Sequence, residues 1–346
     1  LNASDIAKLA GVSRSTVSRV VNNYANVPPE TRDKVMRVIE AYNYVPNMSA
    51  QVMAGKKTKT LGLFIISHGP VAGDFVSNML ITSVIEQASH QGYYVLTYIV
   101  GDPSTDQAAV KKVNDMFYQG RVDGGLFIGA AYGEPFIESL IAEGYQAAII
   151  DQDLNGNHAE DKRIVAEYDN HKGMRLAIDC LAELGHRKIG VIKGDMSRLS
   201  GVTKFEGFQA AMQLHGLPVV QDWVLPADFS EQGGKDAIIR LLEQQVPLPT
   251  AIIAANDSVA FGAITALQGA GLKVPEDVSV IGFDNHVLSA YHNPPLTTVA
   301  VDFEGLMKTV TASLIRHIES NELGSERIVI DYALIERQSC RDLKQP

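Results

Sequence analysis

Two cysteines, Cys180 and Cys340, and a single tryptophan stand among 346 residues. Their distance apart gives no disulfide framework, which excludes a cystine-stapled scaffold and predicts a reduced, cytoplasmic setting. No run approaches the ~18 apolar residues that cross a bilayer, and the start shows no charged n-region leading into an apolar h-region. The chain is therefore expected to be neither embedded nor exported. Also missing are a glycine-rich phosphate loop, HExxH, a GxSxG elbow and any closely spaced Cys/His set, the arrangements that hold phosphates, metals or activated nucleophiles. The nine histidines are scattered, and His186, after Gly185, reads as a turn or packing residue. These absences argue against an enzyme and predict neither cofactor nor metal.

What is present is ordinary in amount and uneven in placement. Hydrophobic residues make up 46% and charged residues 20%, as in a globular protein. The first 58 residues hold eight Lys/Arg against four Asp/Glu, so within a net charge of −10 the remainder carries −14. A basic head on an acidic body is the distribution that a polyanion-binding module needs if the body is not to bind indiscriminately.

That head reads as three short helices. Ser4 is placed to cap the first, Gly11 supplies a turn, and Ser13 caps a second in which Arg14, Ser15, Ser18, Arg19 and Asn22 share one arc while Val17, Val20 and Val21 take the other. A third helix runs from about Pro29 to Tyr42, with Val35, Val38 and Ile39 as its packing stripe. One face of the second helix packs, and the other carries groups that suit a major groove: the arginine fork matches guanine or phosphate, and short hydroxyl and amide side chains approach closely. Ser13 and Thr16 complete this candidate DNA-reading set. Pro46 then closes the head, and Asn47 is placed to cap a segment MSAQVMAG that stops at Gly55. About eight residues are too few for a helix that stands alone, so this segment is expected to fold only when something holds it.

Beyond Lys59, short apolar runs (LGLFII, YYVLTYI, GGLFIG, QAAIID, KIGVIK, TAIIAA, VSVIGF) alternate with amphipathic stretches. This is βαβ alternation, and near-continuous apolar strands belong to parallel sheets buried on both faces. About nine such strands are expected. Ligands of such sheets bind beyond the carboxyl ends of the strands, where this sequence collects Ser67, His68, Asp151, Asn256, Asp257, Asp284 and Asn285. Asp257, which opens a helix, reads as its cap in preference to a ligand group.

The segment DIAKLAGVSRSTVSRVVN closely resembles the head of the lactose-repressor (LacI/GalR) family of bacterial transcription regulators, and the likeness continues in order through YNYVPNMSAQVMAGKKTKTLG, GHRKIGVIKG, ANDSVAFGA, VSVIGFDN and NPPLTTVAVDFEGLM. The resemblance implies an α/β protein: an all-α helix-turn-helix head at 1–46, a hinge helix and linker at 47–59, and a two-lobed body of two doubly wound sheets, like a type I periplasmic binding protein, at 60–339, followed by a tail at 340–346. Three crossings would join the lobes, placed at the turn-rich segments 155–161, 292–295 and 321–325. The lobes would then span about 60–158 with 293–322, and 159–292 with 323–339.

The same resemblance implies function. The protein is expected to bind a palindromic operator as a homodimer, without heptads after Arg341 to build a four-chain bundle. Its most fitting role is repression of carbohydrate-utilisation genes, controlled by a sugar or sugar derivative between the lobes. The alternatives are a purine or anionic effector, or a solute-binding protein of the same body fold. Asn47, Ala50, Gln51 and Met53 match the hinge that enters the minor groove, Met53 standing where well-known members wedge a leucine between bases. Asp151, Asn256 and Asp284 match positions that hold sugar hydroxyls, and Phe229 one that stacks on the ring; Phe75 is added as a lining residue. Lys204 stands where the family commonly has arginine. A point contact there replaces a planar two-pronged one, which suits an anionic group or a repositioned hydroxyl.

Overall fold

The computed structural model describes residues 1–45, 56–67, 71, 75–153, 162–321 and 324–344. Asn47, Ala50, Gln51 and Met53 of the expected hinge fall outside them. The chain divides into two compact units, Leu1–Thr60 and Leu61–Pro346.

In the first unit, α1 (Ala3–Ala10), α2 (Arg14–Val21) and α3 (Pro29–Ala41) bury Ile6, Ala7, Ala10, Val17, Val20, Val27 and Val35 as one small core. The cap of α1 is Asn2, not Ser4: the Asn2 side chain accepts the Ser4 and Asp5 amides while the Asp5 carboxylate accepts the Asn2 amide at 2.9 Å, a reciprocal capping box. The helix begins at Ala3, two residues earlier than a cap at Ser4 would start it. Gly11 ends it at φ +62°, a left-handed conformation that costs an ordinary side chain energy. Ser13 caps α2 through Thr16 N–H at 3.1 Å, and Arg32 pins the turn into α3 through Asn23 Oδ1 and the Tyr24 carbonyl at 2.7 and 2.6 Å.

The second unit holds two six-stranded sheets. In chain order its elements are β1 (Thr60–Ile66), α4 (Phe75–His90), β2 (Tyr94–Val100), α5 (Gln107–Tyr118), β3 (Gly124–Ile128), α6 (Pro135–Ala142), β4 (Ala147–Ile150), β5 (Ile164–Tyr168), α7 (Asn170–Glu183), β6 (Ile189–Ile192), α8 (Leu199–Leu214), β7 (Val224–Leu225), α9 (Glu231–Glu243), β8 (Ala251–Ala254), α10 (Asp257–Gly269), β9 (Ser279–Asp284), β10 (Thr297–Val301), α11 (Phe303–Ser320), β11 (Glu326–Ile330) and β12 (Tyr332–Ile335). The first sheet runs β11-β5-β4-β3-β1-β2 and the second β12-β10-β9-β8-β6-β7. Each contains the same doubly wound order plus one strand from the end of the chain. β12 pairs antiparallel to β10, while β11 pairs parallel to β5.

The lobe crossings differ from expectation. The chain passes between sheets at Asp169, Asp302 and Asp331: β5 belongs to the first sheet, while α7 packs in the core of the second; β10 belongs to the second, while α11 packs on the first; β11 and β12 are split between them. The turn-rich segment 292–295 instead lies between two strands of the second sheet; 155–161, and 322–323 of the third expected crossing, fall outside the described residues, and the elements on either side of each belong to the first lobe. Facing strand ends need only one residue to cross, so no glycine- or proline-rich linker marks the place. Asp169 and Asp302 cap α7 and α11, accepting Lys172 N–H at 3.1 Å and Gly305 N–H at 2.9 Å. Asp331 pairs with the Lys172 ammonium, which ties two crossings together and holds the Asp331 carboxyl below its ordinary range. Nor is 340–344 a free tail: Leu343 N–H donates to the Leu184 carbonyl at 2.8 Å, and Arg341 N–H to Ser279 Oγ at 3.1 Å.

Candidate functional site

On the head, Arg14, Ser15, Ser18 and Arg19 are exposed beside the exposed cap Ser13, whereas Val17 and Val20 are buried. The hydroxyls form a local chain, Ser13 Oγ lying 2.7 Å from Ser15 Oγ and 2.8 Å from Thr16 Oγ1. Thr16 and Asn22 are half-buried; Asn22 Nδ2 donates to Ser18 Oγ at 3.3 Å, closing the helix at its far end. The face is thus two guanidinium groups and short hydroxyls on a helix about eight residues long whose opposite side is locked into a core.

In the body, both sheets point strand ends into a cleft of about 650 Å³, within the usual range for small-molecule sites. Asp151 follows β4 at φ +65° and Asp284 ends β9 at φ +97°, both in the left-handed region that non-glycine residues avoid. Asp151 is buried, which pushes its carboxyl up in pKa; Ser200, Lys204 and Arg198 act against that shift, Ser200 Oγ donating to Asp151 Oδ2 at 2.6 Å. Since β4 lies in the first sheet and α8 packs on the second, this bond spans the lobes. Tyr132 N–H, donating to the Ser197 carbonyl at 3.2 Å, spans them again.

Lys204 is 6% exposed. Its Nζ donates to the Ala255 carbonyl at 2.7 Å and lies 4.6 Å from the Phe283 ring centre and 5.8 Å from that of Phe229. The Arg198 guanidinium sits 5.7 Å from the Phe229 centre, so one ring neighbours two cations. Phe229 lies against the backbone of Gly194, where a Cβ would come within 2.3 Å of the ring. Asn256 lines the cleft, but both ends of its amide are engaged: Oδ1 accepts Val259 N–H at 2.8 Å, capping α10, and Nδ2 donates to the Phe229 carbonyl at 3.0 Å. It therefore holds the helix and the Phe229 backbone.

Asp257, expected to be the cap, lies inside the second lobe, accepting His286 N–H and the hydroxyls of Ser289 and Thr298 at 2.7, 2.6 and 2.6 Å. Burial and the nearby Asp284 charge raise its carboxyl to about 7. Phe75 opens α4, and its side chain is not among those described. His186 is fully buried between Thr250 Oγ1 and the Arg341 carbonyl, a packing role. Reading the residues alone missed Arg198, Ser200, Tyr168 and Tyr332, which also line the cleft. The first two lie just past β6, next to the point where the strand order reverses, and the strand-end rule applied there would have found them.

Comparison with known proteins follows this geometry. Residues 3–47 match the model described as bacterial regulatory proteins, lacI family, and residues 178–340 the periplasmic binding protein-like domain. The chain is 32% identical over 329 residues to the HTH-type transcriptional repressor PurR of Pasteurella multocida (strain Pm70), covering 94% of each, and 33% identical over 343 residues to that of Haemophilus influenzae (strain PittEE), covering 98% of each. It also superposes on the Lac repressor dimer bound to operator and the anti-inducer ONPF (TM-score 0.80, 27% identity, 99% of both chains) and on the CelR–cellobiose complex (TM-score 0.75, 27% identity, 98% and 99%). The chain belongs to the lacI family of bacterial regulatory proteins. It is a DNA-binding transcriptional repressor with a small-molecule effector, not an enzyme. Among the described residues no helix is long and apolar enough to cross a membrane.

Proposed function

We propose that this repressor reads a palindromic operator as a homodimer through Ser13, Arg14, Ser15, Thr16, Ser18, Arg19 and Asn22, and that a sugar or sugar derivative bound between the lobes sets its affinity. The effector reading rests on one observation: carboxylates from the two sheets, Asp151 and Asp284, meet the Lys204 ammonium and the Phe229 ring in one cleft. Carboxylates take paired hydroxyls, a lysine donates to a ring or hydroxyl oxygen, and an aromatic face covers the C–H side of a pyranose. Coupling of about 1–3 kcal/mol between cleft and head gives roughly 5- to 150-fold control of operator affinity.

A second reading, a planar purine or an anionic metabolite, is favoured by the two cations at Phe229. A thermal-shift screen of sugars, sugar phosphates and purines, followed by calorimetry, separates them, because a ligand of the folded body raises its midpoint by mass action. A sugar that both binds and changes operator affinity supports the first reading, while a purine or phosphate that does so in its place overturns it. For the head, Arg19→Ala is expected to weaken operator binding with effector binding retained. An unchanged operator affinity at fixed salt removes that face from the proposal.

A further inference from the structure

The effector cleft has a neighbour. A second cavity of about 460 Å³ is lined by Asp102, Ser104, Gln107 and Glu134 from the first lobe and by Ser197 and Arg198 from the second. Ile66, Gly129 and Arg198 line both cavities, so the two adjoin at the ends of β1 and β3 and one guanidinium. Gly129 adds no side chain where they meet: at φ +79° its Cβ would stand 2.4 Å from the Ile66 carbonyl oxygen.

This second cavity is a built feature. Buried Gln152 clamps the loop after β3 from both directions, its Nε2 donating to the Ala131 carbonyl at 3.1 Å and its Oε1 accepting Gly133 N–H at 3.3 Å. Across from it Asp102 Oδ1 accepts both the amide and the hydroxyl of Ser104, at 2.9 and 2.6 Å. The interlobe bond from Tyr132 to Ser197 falls where Ser197 lines the cavity.

Its chemistry is selective. Asp102 and Glu134 are near enough for the Asp102 charge to join burial in raising the Glu134 carboxyl above its ordinary range. A phosphate or carboxylate on a ligand gains Arg198 there but meets two acids. A neutral group rich in hydroxyls meets acceptors at Asp102 and Glu134, mixed donors and acceptors at Gln107 and the two serines, and a donor at Arg198. We propose that this cavity receives the second ring of a disaccharide whose first ring lies between Asp151, Asp284 and Phe229, with Arg198 reaching both. The proposal rests on the sugar reading above and narrows it from monosaccharides and their phosphates to neutral two-ring saccharides.

The test is calorimetry on the full chain with glucose, galactose, cellobiose, maltose and lactose, and with adenine and hypoxanthine as purines. At least one disaccharide is expected to bind about tenfold or more tightly than either monosaccharide. Ser104→Trp, which fills the side cavity from an exposed position, is expected to erase that margin; Glu134→Gln, nearly isosteric, to cut it by roughly threefold. A monosaccharide that binds as tightly as the best disaccharide, or a margin that survives Ser104→Trp, overturns the proposal and leaves the sugar reading standing. Binding by a purine with no saccharide bound, or by nothing in the set, overturns the sugar reading and the side cavity with it.

Discussion

The two lobes share a strand order and differ in almost everything they show the cleft. The first presents Ile65, Ile66, Ile128, Ile150, Val76 and Leu80 beside Ser67, Ser77 and Tyr168, with Asp151 its one acid there among the described residues. The second presents Arg198, Lys204, Asp228, Asn256, Asp284 and His286. Equal topology with opposite chemistry means that the sheets fix where the walls stand, while the loops after each strand decide what they do. The two walls are not independent: Asp151 of the first lobe is held by Ser200 of the second.

The largest effect is expected where the polar lobe carries a full charge. Asp284→Ala should weaken effector binding by roughly 30- to 150-fold, the loss of about 2–3 kcal/mol in charge-assisted hydrogen bonds, with operator binding retained in a gel-shift assay. Retained response to the true effector removes Asp284 from the site and breaks the contrast between the lobes.

Lys204→Met should act next. The change keeps the buried stem and deletes the donor to the Ala255 carbonyl, leaving that oxygen unpaired and taking away a cation that opposes the rise of the Asp151 carboxyl. About tenfold weaker binding is expected in calorimetry. Recovery in Lys204→Arg would show that any cation suffices, and its failure would show that Phe283 and Ala255 fit a compact ammonium only. From the apolar lobe, Val76→Ala should cost only about threefold, in line with a small loss of apolar contact. A loss on the scale of Asp284→Ala would end the division of labour between the lobes.

Much of this arrangement was legible in the residues. The faces of α2 follow from helical spacing, and the apolar runs that became β1, β3, β4, β6, β8 and β9 are buried along nearly their whole length, as strands in the middle of parallel sheets are. Asp151 and Asp284 stood out because each ends such a run. About nine strands were expected and the described residues hold twelve: β5, β7, β10, β11 and β12 match none of the apolar runs, β11 because it lies at a sheet edge with alternating burial and β7 because it is two residues long. The crossings were misplaced because glycine, proline and asparagine mark turns, whereas passage between the sheets takes a single residue, and at Asp169 and Asp302 that residue is a helix cap. Asn256 took the cap expected of Asp257 for a similar reason: both are good caps, and Asp257 is drawn inward by Ser289 and Thr298, distant in sequence. The side cavity was invisible because its walls come from three loops that no local pattern relates.

A last test, read in stability and not in binding, asks whether the second lobe's polarity serves the ligand alone. Asp257 does not itself line the cleft, though it accepts the N–H of His286, which does, and burial with the nearby Asp284 charge raises its carboxyl to about 7 in the folded protein against 3.8 for an ordinary aspartate. Between those values the folded state holds a proton that the unfolded state has released, so stability falls as pH rises from about 4 to about 7 and levels off above. Asp151, also raised by burial, adds a slope of the same sign, and Asp331 and Glu326, both lowered, act in the opposite sense at more acidic pH. The informative quantity is therefore the difference between wild type and Asp257→Asn. The Asn variant keeps the hydroxyl partners Ser289 and Thr298 but binds no proton, and its Tm relative to wild type should climb between about pH 5 and pH 7 and then stay level. A difference that is flat across this range would mean that Asp257 stays ionised on its three donors. The neighbouring Asp284 would then face a fixed negative charge at every working pH, and the polar lobe would be electrostatically wired from its core to its ligand face.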